Sequence, residues 1–244
     1  MKLSIIGQWG GFPAKNGASS GYLLQHKGFN MLLDCGSGVL SKLQNIIKPE
    51  ELSAVIISHY HPDHIADIGV LQHALLISHH LGNQVKTLPI YAHNENDSGF
   101  ASLTYKKLSK GIAYFETQPL IVGPFTISFI RTNHPVPCFA MNISDGEHNL
   151  IYTADSAYMA SFVSFSRDAD ILLCECNFYK GMNGKSAGHM TSEEAGMLAK
   201  KANVKQLILT HLPHFGDHHQ LQYEAKEQFN GPIQIAHQNL TVTL

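Results

Sequence analysis

One stretch says most about this chain: residues 54–64, Ala54-Val55-Ile56-Ile57-Ser58-His59-Tyr60-His61-Pro62-Asp63-His64. Its four apolar residues predict a buried strand, so the polar residues follow the point where a strand ends. In an extended backbone His59 and His61 point to the same side, and Pro62 fixes a turn that brings Asp63 and His64 behind them. Such a group indicates a site for zinc, manganese or iron. The alternative is a polar loop that contains histidines by chance. Three histidines and an aspartate within six residues directly after a strand disfavour that alternative.

The composition favours a folded protein with metal chemistry. Of the 244 residues, 44% are hydrophobic and 15% are charged, which is enough to bury a core. The formal net charge of −2 gives no global field for nucleic acid or membrane, although it leaves room for a local basic patch. The 16 histidines nearly match the 17 lysines and arginines, which is a bias toward metal binding.

The cysteines and the N-terminus favour a cytoplasmic protein. Cys35, Cys138, Cys174 and Cys176 form no pair of CxxC motifs, so a zinc ribbon is not predicted. Free buried cysteines fit a reducing compartment. Residues 1–7 lack a long apolar core and a cleavage site, and no apolar stretch approaches the ~20 residues of a membrane span.

Hydrophobic patterning predicts a single α/β domain over residues 1–244. Strand-rich halves with interspersed helices favour two sheets packed together with helices outside. The predicted elements include helices over 67–80, 98–110 and 191–201 and a strand over 113–116. The helix at Thr191 begins with a capping box, because Glu194 follows three residues later.

Three further residues each follow a predicted strand and complete a metal-ligand set. They are His134, Asp155 and His211. Each alone is weak evidence, because a histidine after a strand is more often a surface residue. Together with the first cluster they give six or seven N/O ligands without a thiolate, which matches a site for two ions roughly 3.5–4 Å apart.

His189 and Asp34 carry the next signals. His189 stands just before the helix at Thr191, where an imidazole can donate a proton and the helix terminus favours an anion. A surface histidine explains it equally well. Asp34 follows a predicted strand and is expected to hold a neighbouring histidine, with a simple turn carboxylate as the alternative. The polar residues at 214–219 are expected to form a solvated rim.

These motifs resemble the metallo-β-lactamase superfamily and, within it, ribonuclease Z and its relatives. The resemblance covers essentially the whole chain, with the ligand residues in the family's order. Residues 6–13, 33–36, 170–178 and 188–211 carry the likeness to ribonuclease Z. The resemblance implies a four-layer αββα sandwich with the metals at one edge.

The resemblance also implies the ligand sets. One ion would be held by His59, His61 and His134, and the second by Asp63, His64 and His211. Asp155 would bridge them. The expected cofactors are two divalent ions, zinc first, with manganese or iron as alternatives. In ribonuclease Z the histidine that matches His189 protonates the leaving group.

The function expected from this resemblance is phosphodiester hydrolysis. A hydroxide held between the ions would attack phosphorus, Asp63 would orient it and take its proton, and His189 would protonate the departing oxygen. In bacterial ribonuclease Z a long tRNA-gripping arm lies between the residues that match His134 and Asp155. Here only 20 residues separate them, which argues against tRNA and for a small phosphodiester or nucleotide-like substrate.

Two alternatives remain open. A carbonyl hydrolase acting on a lactone or thioester would use the same metals. A non-catalytic metal-binding module predicts missing ligands, and none is missing. A homodimer is implied by the resemblance alone.

Overall fold

The computed structural model describes residues 1–244. The strands, in chain order, are β1 (Lys2–Gly7), β2 (Gly21–His26), β3 (Phe29–Leu33), β4 (Ala54–Ile56), β5 (Leu88–Ala92), β6 (Ser109–Ala113), β7 (Leu120–Val122), β8 (Phe125–Arg131), β9 (Phe139–Ser144), β10 (Asn149–Tyr152), β11 (Ile171–Glu175), β12 (Leu207–Thr210), β13 (Ile233–Ile235) and β14 (Thr241–Thr243). The helices are α1 (Val39–Leu43), α2 (Pro62–Ile65), α3 (Ile68–His80), α4 (Asp97–Ser102), α5 (Ser161–Phe165), α6 (Ser192–Ala202) and α7 (His218–Lys226). The longest, α3, has 13 residues, and no helix has the length and apolar character needed to cross a membrane.

The chain divides into two units. The first unit, residues 1–115 and 237–243, holds a seven-stranded sheet in the order β14-β1-β2-β3-β4-β5-β6. The strands from β3 to β6 are parallel, and the others are antiparallel. Parallel neighbours end at the same edge of a sheet, so the residues that follow β3, β4 and β5 share one edge.

The second unit, residues 116–236 and 244, repeats this plan in a sheet ordered β13-β12-β11-β10-β9-β8-β7. Here the strands from β10 to β13 are parallel, and those from β7 to β10 are antiparallel. The carboxyl ends of β10, β11 and β12 therefore meet at one edge of this sheet.

Each unit has an apolar core between its sheet and its helices. The central parallel strands are buried along their whole length, as expected for strands covered on both faces. In the first unit the core joins helix residues such as Leu71 and Leu75 to Val55 and Ile90 of the sheet. In the second unit Leu198 and Leu221 pack with the sheet residues, among them Leu172 and Leu209.

The capping box predicted for α6 is confirmed. The Thr191 hydroxyl accepts from the Glu194 backbone N–H at 3.3 Å, and the Glu194 carboxylate accepts from the Thr191 N–H at 2.9 Å. The helix ends at Asn203, whose φ of 55° is left-handed, a conformation that asparagine tolerates well. The sequence therefore fixes both ends of the helix that follows His189.

The predicted helix over 98–110 is confirmed only as far as Ser102, and the strand predicted over 113–116 lies four residues too far along the chain. Helix α4 stops at Ser102, and Ser109–Ala113 form β6. Lys106, with a φ of 48°, turns the chain between them. Strand β6 pairs with β5 over five residues, and this long-range pairing outweighs the local helix signal.

Three residues next to strand ends have left-handed backbones. They are Asp34 with φ 55°, Ala154 with φ 49° and His211 with φ 52°. Such a conformation costs a residue with a Cβ roughly 1–2 kcal/mol. The surrounding packing holds these positions in place, and two of them are predicted site residues.

Candidate metal centre

The histidine cluster follows β4 in the first unit, as predicted. His59 is buried, and its Nδ1 lies 3.0 Å from the Ser58 hydroxyl. Its other ring nitrogen, Nε2, is 3.1 Å from Nδ1 of His61. Pro62 begins the short helix α2, so the predicted turn is a helical one. The two imidazoles thus present one nitrogen each to a common point.

Asp34 holds His64, which confirms the role predicted for it. Its Oδ2 lies 2.8 Å from His64 Nδ1 and accepts from the Ser58 hydroxyl at 2.8 Å. Its Oδ1 accepts from the Ser58 backbone N–H at 2.7 Å. With Nδ1 engaged, His64 directs Nε2 toward Asp63, whose Oδ2 is 3.5 Å away. A carboxylate behind a histidine fixes the ring and raises its basicity as a ligand.

Asp63 is held by the glycine loop near the N-terminus. The Gly11 backbone N–H donates to Asp63 Oδ2 at 2.7 Å. Gly11 has a φ of 74°, a conformation that glycine reaches without strain. This contact was not predicted, because a backbone donor leaves no side-chain signature in the sequence.

The second unit brings His134, Asp155 and His211 together. Asp155 Oδ2 lies 3.3 Å from His211 Nε2 and 3.9 Å from His134 Nε2. All three side chains are at most 4% exposed. His134 Nδ1 lies 3.1 Å from the Gly188 carbonyl, which turns its Nε2 toward the carboxylate. The three residues predicted from separate strand ends therefore share one site in this unit.

His189 lies in the same site and is oriented by Glu175. His189 Nδ1 is 2.9 Å from Glu175 Oε1. The His189 ring stacks on the His211 ring, with centroids 5.1 Å apart and planes inclined by 22°. It also meets His134 edge-on at 5.4 Å. His189 is thus a member of the site and not a surface histidine.

Glu175 was missed as a functional residue. Its carboxylate is fully buried at the end of β11 and accepts from the backbone N–H groups of Ser156 at 2.9 Å and Asn177 at 3.3 Å. Glu175, His189 and His211 offer ligand atoms within 4.8 Å of one another. The sequence does contain a signal for Glu175, which is a charged residue at the end of an apolar strand. A charged residue is almost never fully buried without partners, so such a position indicates a buried polar contact.

The donor set fits divalent metal ions. Four ligands about 2.0–2.1 Å from a tetrahedral zinc ion lie about 3.3–3.4 Å from one another. The separations of 3.1 Å for His59–His61, 3.5 Å for Asp63–His64 and 3.3 Å for Asp155–His211 are close to that value. Imidazole nitrogen and carboxylate oxygen suit zinc, manganese and iron.

Cysteine takes no part in this donor set. Cys35 follows Asp34 directly and is fully buried. Burial raises the pKa of its thiol, and the nearby Asp67 and Asp34 carboxylates raise it further. The groups of candidate ligand atoms that lie within 4.8 Å of one another consist of histidine, aspartate and glutamate side chains.

Several other histidines lie at or near the surface. His214 and His219 are exposed, as expected for a solvated rim, and His218 binds the Pro213 carbonyl at 2.8 Å. His73, His79 and His80 are exposed on α3, as expected for ordinary surface histidines.

The chain is similar to known proteins over its whole length. Residues 29–212 match the family model described as "Beta-lactamase superfamily domain". "Probable metallo-hydrolase YhfI" of Bacillus subtilis (strain 168) is 56% identical over 236 residues, which are 97% of each chain. The crystal structure of the metallo-β-lactamase fold protein YhfI from Bacillus subtilis gives a TM-score of 0.96 at 53% identity and covers 99% of each chain.

More distant structures share the fold. Human tRNase Z, short form, gives a TM-score of 0.78 at 19% identity and covers 100% of this chain and 99% of that one. A diphosphatase from the PhnP family gives 0.77 at 16% identity, with 100% and 97% covered. The predicted fold class, an α/β protein with the αββα sandwich of metallo-β-lactamase type, is confirmed.

Proposed function

The chain belongs to the β-lactamase superfamily, and from this premise we propose that it is a metal-dependent hydrolase of small phosphodiesters. The observation that carries the proposal is the His189–Glu175 pair stacked on His211. The departure of an alkoxide from a phosphodiester is assisted by a positioned proton donor. His189 has the position and the supporting carboxylate for that task.

We propose that the ligands of the two units act together on two ions. In this proposal His59, His61 and His134 would hold one ion, Asp63, His64 and His211 would hold the other, and Asp155 would contribute its carboxylate to both. The donor separations within each unit support this assignment. Bound divalent ions lower the pKa of water toward ~7 and neutralise charge on phosphoryl oxygens. Zinc is the proposed metal, with manganese and iron as the alternatives.

The residues of the chain then divide the proton transfers. Asp63 orients the attacking water and accepts its proton, and the Gly11 N–H fixes the direction of its carboxylate. His189 donates a proton to the departing oxygen from Nε2, since its Nδ1 faces Glu175. The proposed base, Asp63, thus lies in the first unit and the proposed acid, His189, in the second. Each is oriented by a residue of its own unit, Asp63 by Gly11 and His189 by Glu175.

The segment between His134 and Asp155 supports a small substrate. It consists of β9, β10 and the turn between them, and it leaves no residues for an arm. We therefore propose a small phosphodiester or a nucleotide-like molecule as the substrate. The proposed setting is the cytoplasm, where the four free, buried cysteines stay reduced. A homodimer stays a prediction.

A side-by-side assay tests the proposal. The protein, loaded with zinc or manganese, is given bis-p-nitrophenyl phosphate, a 2′,3′-cyclic nucleotide, an acyl-homoserine lactone and a glutathione thioester. We expect hydrolysis of the first two. Activity confined to the last two would assign the chain to the carbonyl hydrolases. Fewer than about one ion per chain, with no activity on any substrate after metal addition, would mark a non-catalytic module.

A further inference from the structure

A second cleft lies in the first unit, at the opposite edge of its sheet from the proposed ligands. The cleft has a volume of about 470 Å³, within the usual 300–1,000 Å³ of small-molecule sites. Thr87 and Leu108, which border it, directly precede β5 and β6. The ligand residues instead follow the carboxyl ends of the strands. The five residues of β5 span about 16 Å, at about 3.3 Å each, so the two sites are distinct.

The floor of the cleft is apolar and anchored in the core. Leu108 is 6% exposed, and the half-buried Leu76 and Val85 pack against the same core cluster. Two contacts hold the wall: the Leu88 N–H donates to the Leu108 carbonyl at 2.9 Å, and the Thr87 hydroxyl donates to the Lys107 carbonyl at 2.7 Å. The cleft is thus built on the ends of two paired strands and not on a loose loop.

The rim of the cleft is basic. Lys106 and Lys107 form one side, and His79 and His80 at the end of α3 form the other. No carboxylate borders the cleft. The chain around it is net basic: residues 68–115 contain four lysines and two acidic residues, Glu95 and Asp97, in a chain of net charge −2. The net positive charge of this region favours the binding of anions.

We propose that this cleft binds a small organic anion with an apolar body. The apolar part would lie on Leu76, Val85 and Leu108, and its acidic group would meet the ammonium groups of Lys106 and Lys107. A simpler explanation of His79 and His80 is that the negative end of the helix dipole stabilises such side chains at the C-terminal end of α3. That explanation accounts for neither the apolar floor nor the two lysines across the cleft, and it predicts no binding. The proposal stands apart from the hydrolase function, because it uses none of the proposed ligands.

Three probes separate the contributions of charge and apolar surface. Octanoate carries both, octan-1-ol carries only the apolar body, and inorganic phosphate carries only charge. Each is titrated into the full-length, metal-loaded protein by isothermal titration calorimetry. We expect octanoate to bind at least about tenfold more tightly than the other two. No detectable octanoate binding up to about 10 mM, or phosphate binding equally well, overturns the proposal.

Matched variants locate the binding. Lys106→Gln/Lys107→Gln removes two charges from the rim, and Lys86→Gln/Lys110→Gln removes two from the same region outside the cleft. We expect the first pair to weaken octanoate about fivefold and the second less than twofold. Val85→Thr, a mild change in the floor, should weaken it about fourfold. Octanoate that binds all these variants alike, or is lost on chelation of the metals, sits elsewhere and rejects the cleft.

Discussion

The Gly11 backbone N–H donates to the Asp63 carboxylate at 2.7 Å, so a glycine 52 positions away orients the proposed base. A second carboxylate, Asp34, lies 2.8 Å from His64 Nδ1. The metal-facing turn is therefore set by two chain segments that lie outside it. Its geometry depends on the loop near the N-terminus as much as on its own residues.

Gly11→Ala should lower turnover by more than its loss of stability accounts for. Gly11 and Gly28 both have a left-handed φ, 74° and 78°, and an added Cβ meets nothing within 4 Å at either position. Each Ala variant should therefore lose about 1–2 kcal/mol of unfolding free energy. Only Gly11→Ala should also lose about tenfold or more in kcat on bis-p-nitrophenyl phosphate, because only it misplaces Asp63. Equal turnover in the two variants would remove Gly11 from the site.

His189→Ala should affect substrates according to their leaving groups. A departing alkoxide needs a proton, whereas p-nitrophenolate hardly does. We expect kcat on a cyclic nucleotide to fall about 10²–10⁴-fold and kcat on bis-p-nitrophenyl phosphate to fall far less. Steady-state kinetics on both substrates measure this ratio. An equal loss on both would show that His189 does not act as the acid.

Glu175→Gln should reproduce part of that effect through His189. The amide keeps the shape but loses the charge that faces His189 Nδ1. We expect turnover of the cyclic nucleotide to fall about 10–100-fold, more than that of the p-nitrophenyl ester, and unfolding free energy to fall by about 1–3 kcal/mol because buried partners are lost. Glu193→Gln, at a half-exposed site on α6, is the control. A loss that is the same for both substrates would make Glu175 purely structural.

Asp34→Asn should weaken metal binding. Asparagine tolerates the left-handed φ of 55°, so the backbone is kept while the charge behind His64 is removed. Metal affinity, measured by competition with a chromogenic chelator, should fall about 10–100-fold. Asp168→Asn supplies the control, because Asp168 has a φ of 56° and is exposed. Unchanged affinity in Asp34→Asn would separate Asp34 from the metal site.

Protonation of Glu224 at acidic pH should lower the free energy of unfolding. Burial raises the pKa of its carboxyl, but hydrogen bonds from the Lys180 backbone N–H, the Ser192 hydroxyl and Gln220 outweigh it and leave the pKa below the usual value. A depressed pKa in the folded state stabilises the fold above the unfolded value of about 4.3 and loses that effect as pH falls below it. The difference in unfolding free energy between wild type and Glu224→Gln should therefore shrink from pH 7 to pH 3 in urea titrations. A difference that stays constant contradicts this assignment.

The sequence revealed the candidate ligands because each lies at the end of an apolar strand. The run from Ala54 to Ile57 marks the first strand, and His134, Asp155 and His211 follow others. Within each sheet, strands that run in the same direction end at the same edge, so local patterns here carry long-range information. Asp34 could be assigned to a histidine for the same reason.

Other features depend on contacts that no local pattern encodes. Gly11 acts through a backbone N–H, and Glu175 is hidden in an apolar run between two cysteines. Strand β6 forms because β5 offers it a parallel partner, although residues 98–110 favour a helix locally. In each case the deciding interaction joins segments far apart in the chain.

The left-handed residues beside the strand ends have a consequence for protein engineering. Asp34 and His211 each meet two requirements. The side chain has a proposed role at the metal site, and the backbone has a left-handed φ that few residue types adopt. A substitution there that abolishes activity does not by itself identify a ligand. Ala154 carries only the backbone demand, so Ala154→Gly is the change that would relax this edge while leaving every proposed ligand in place.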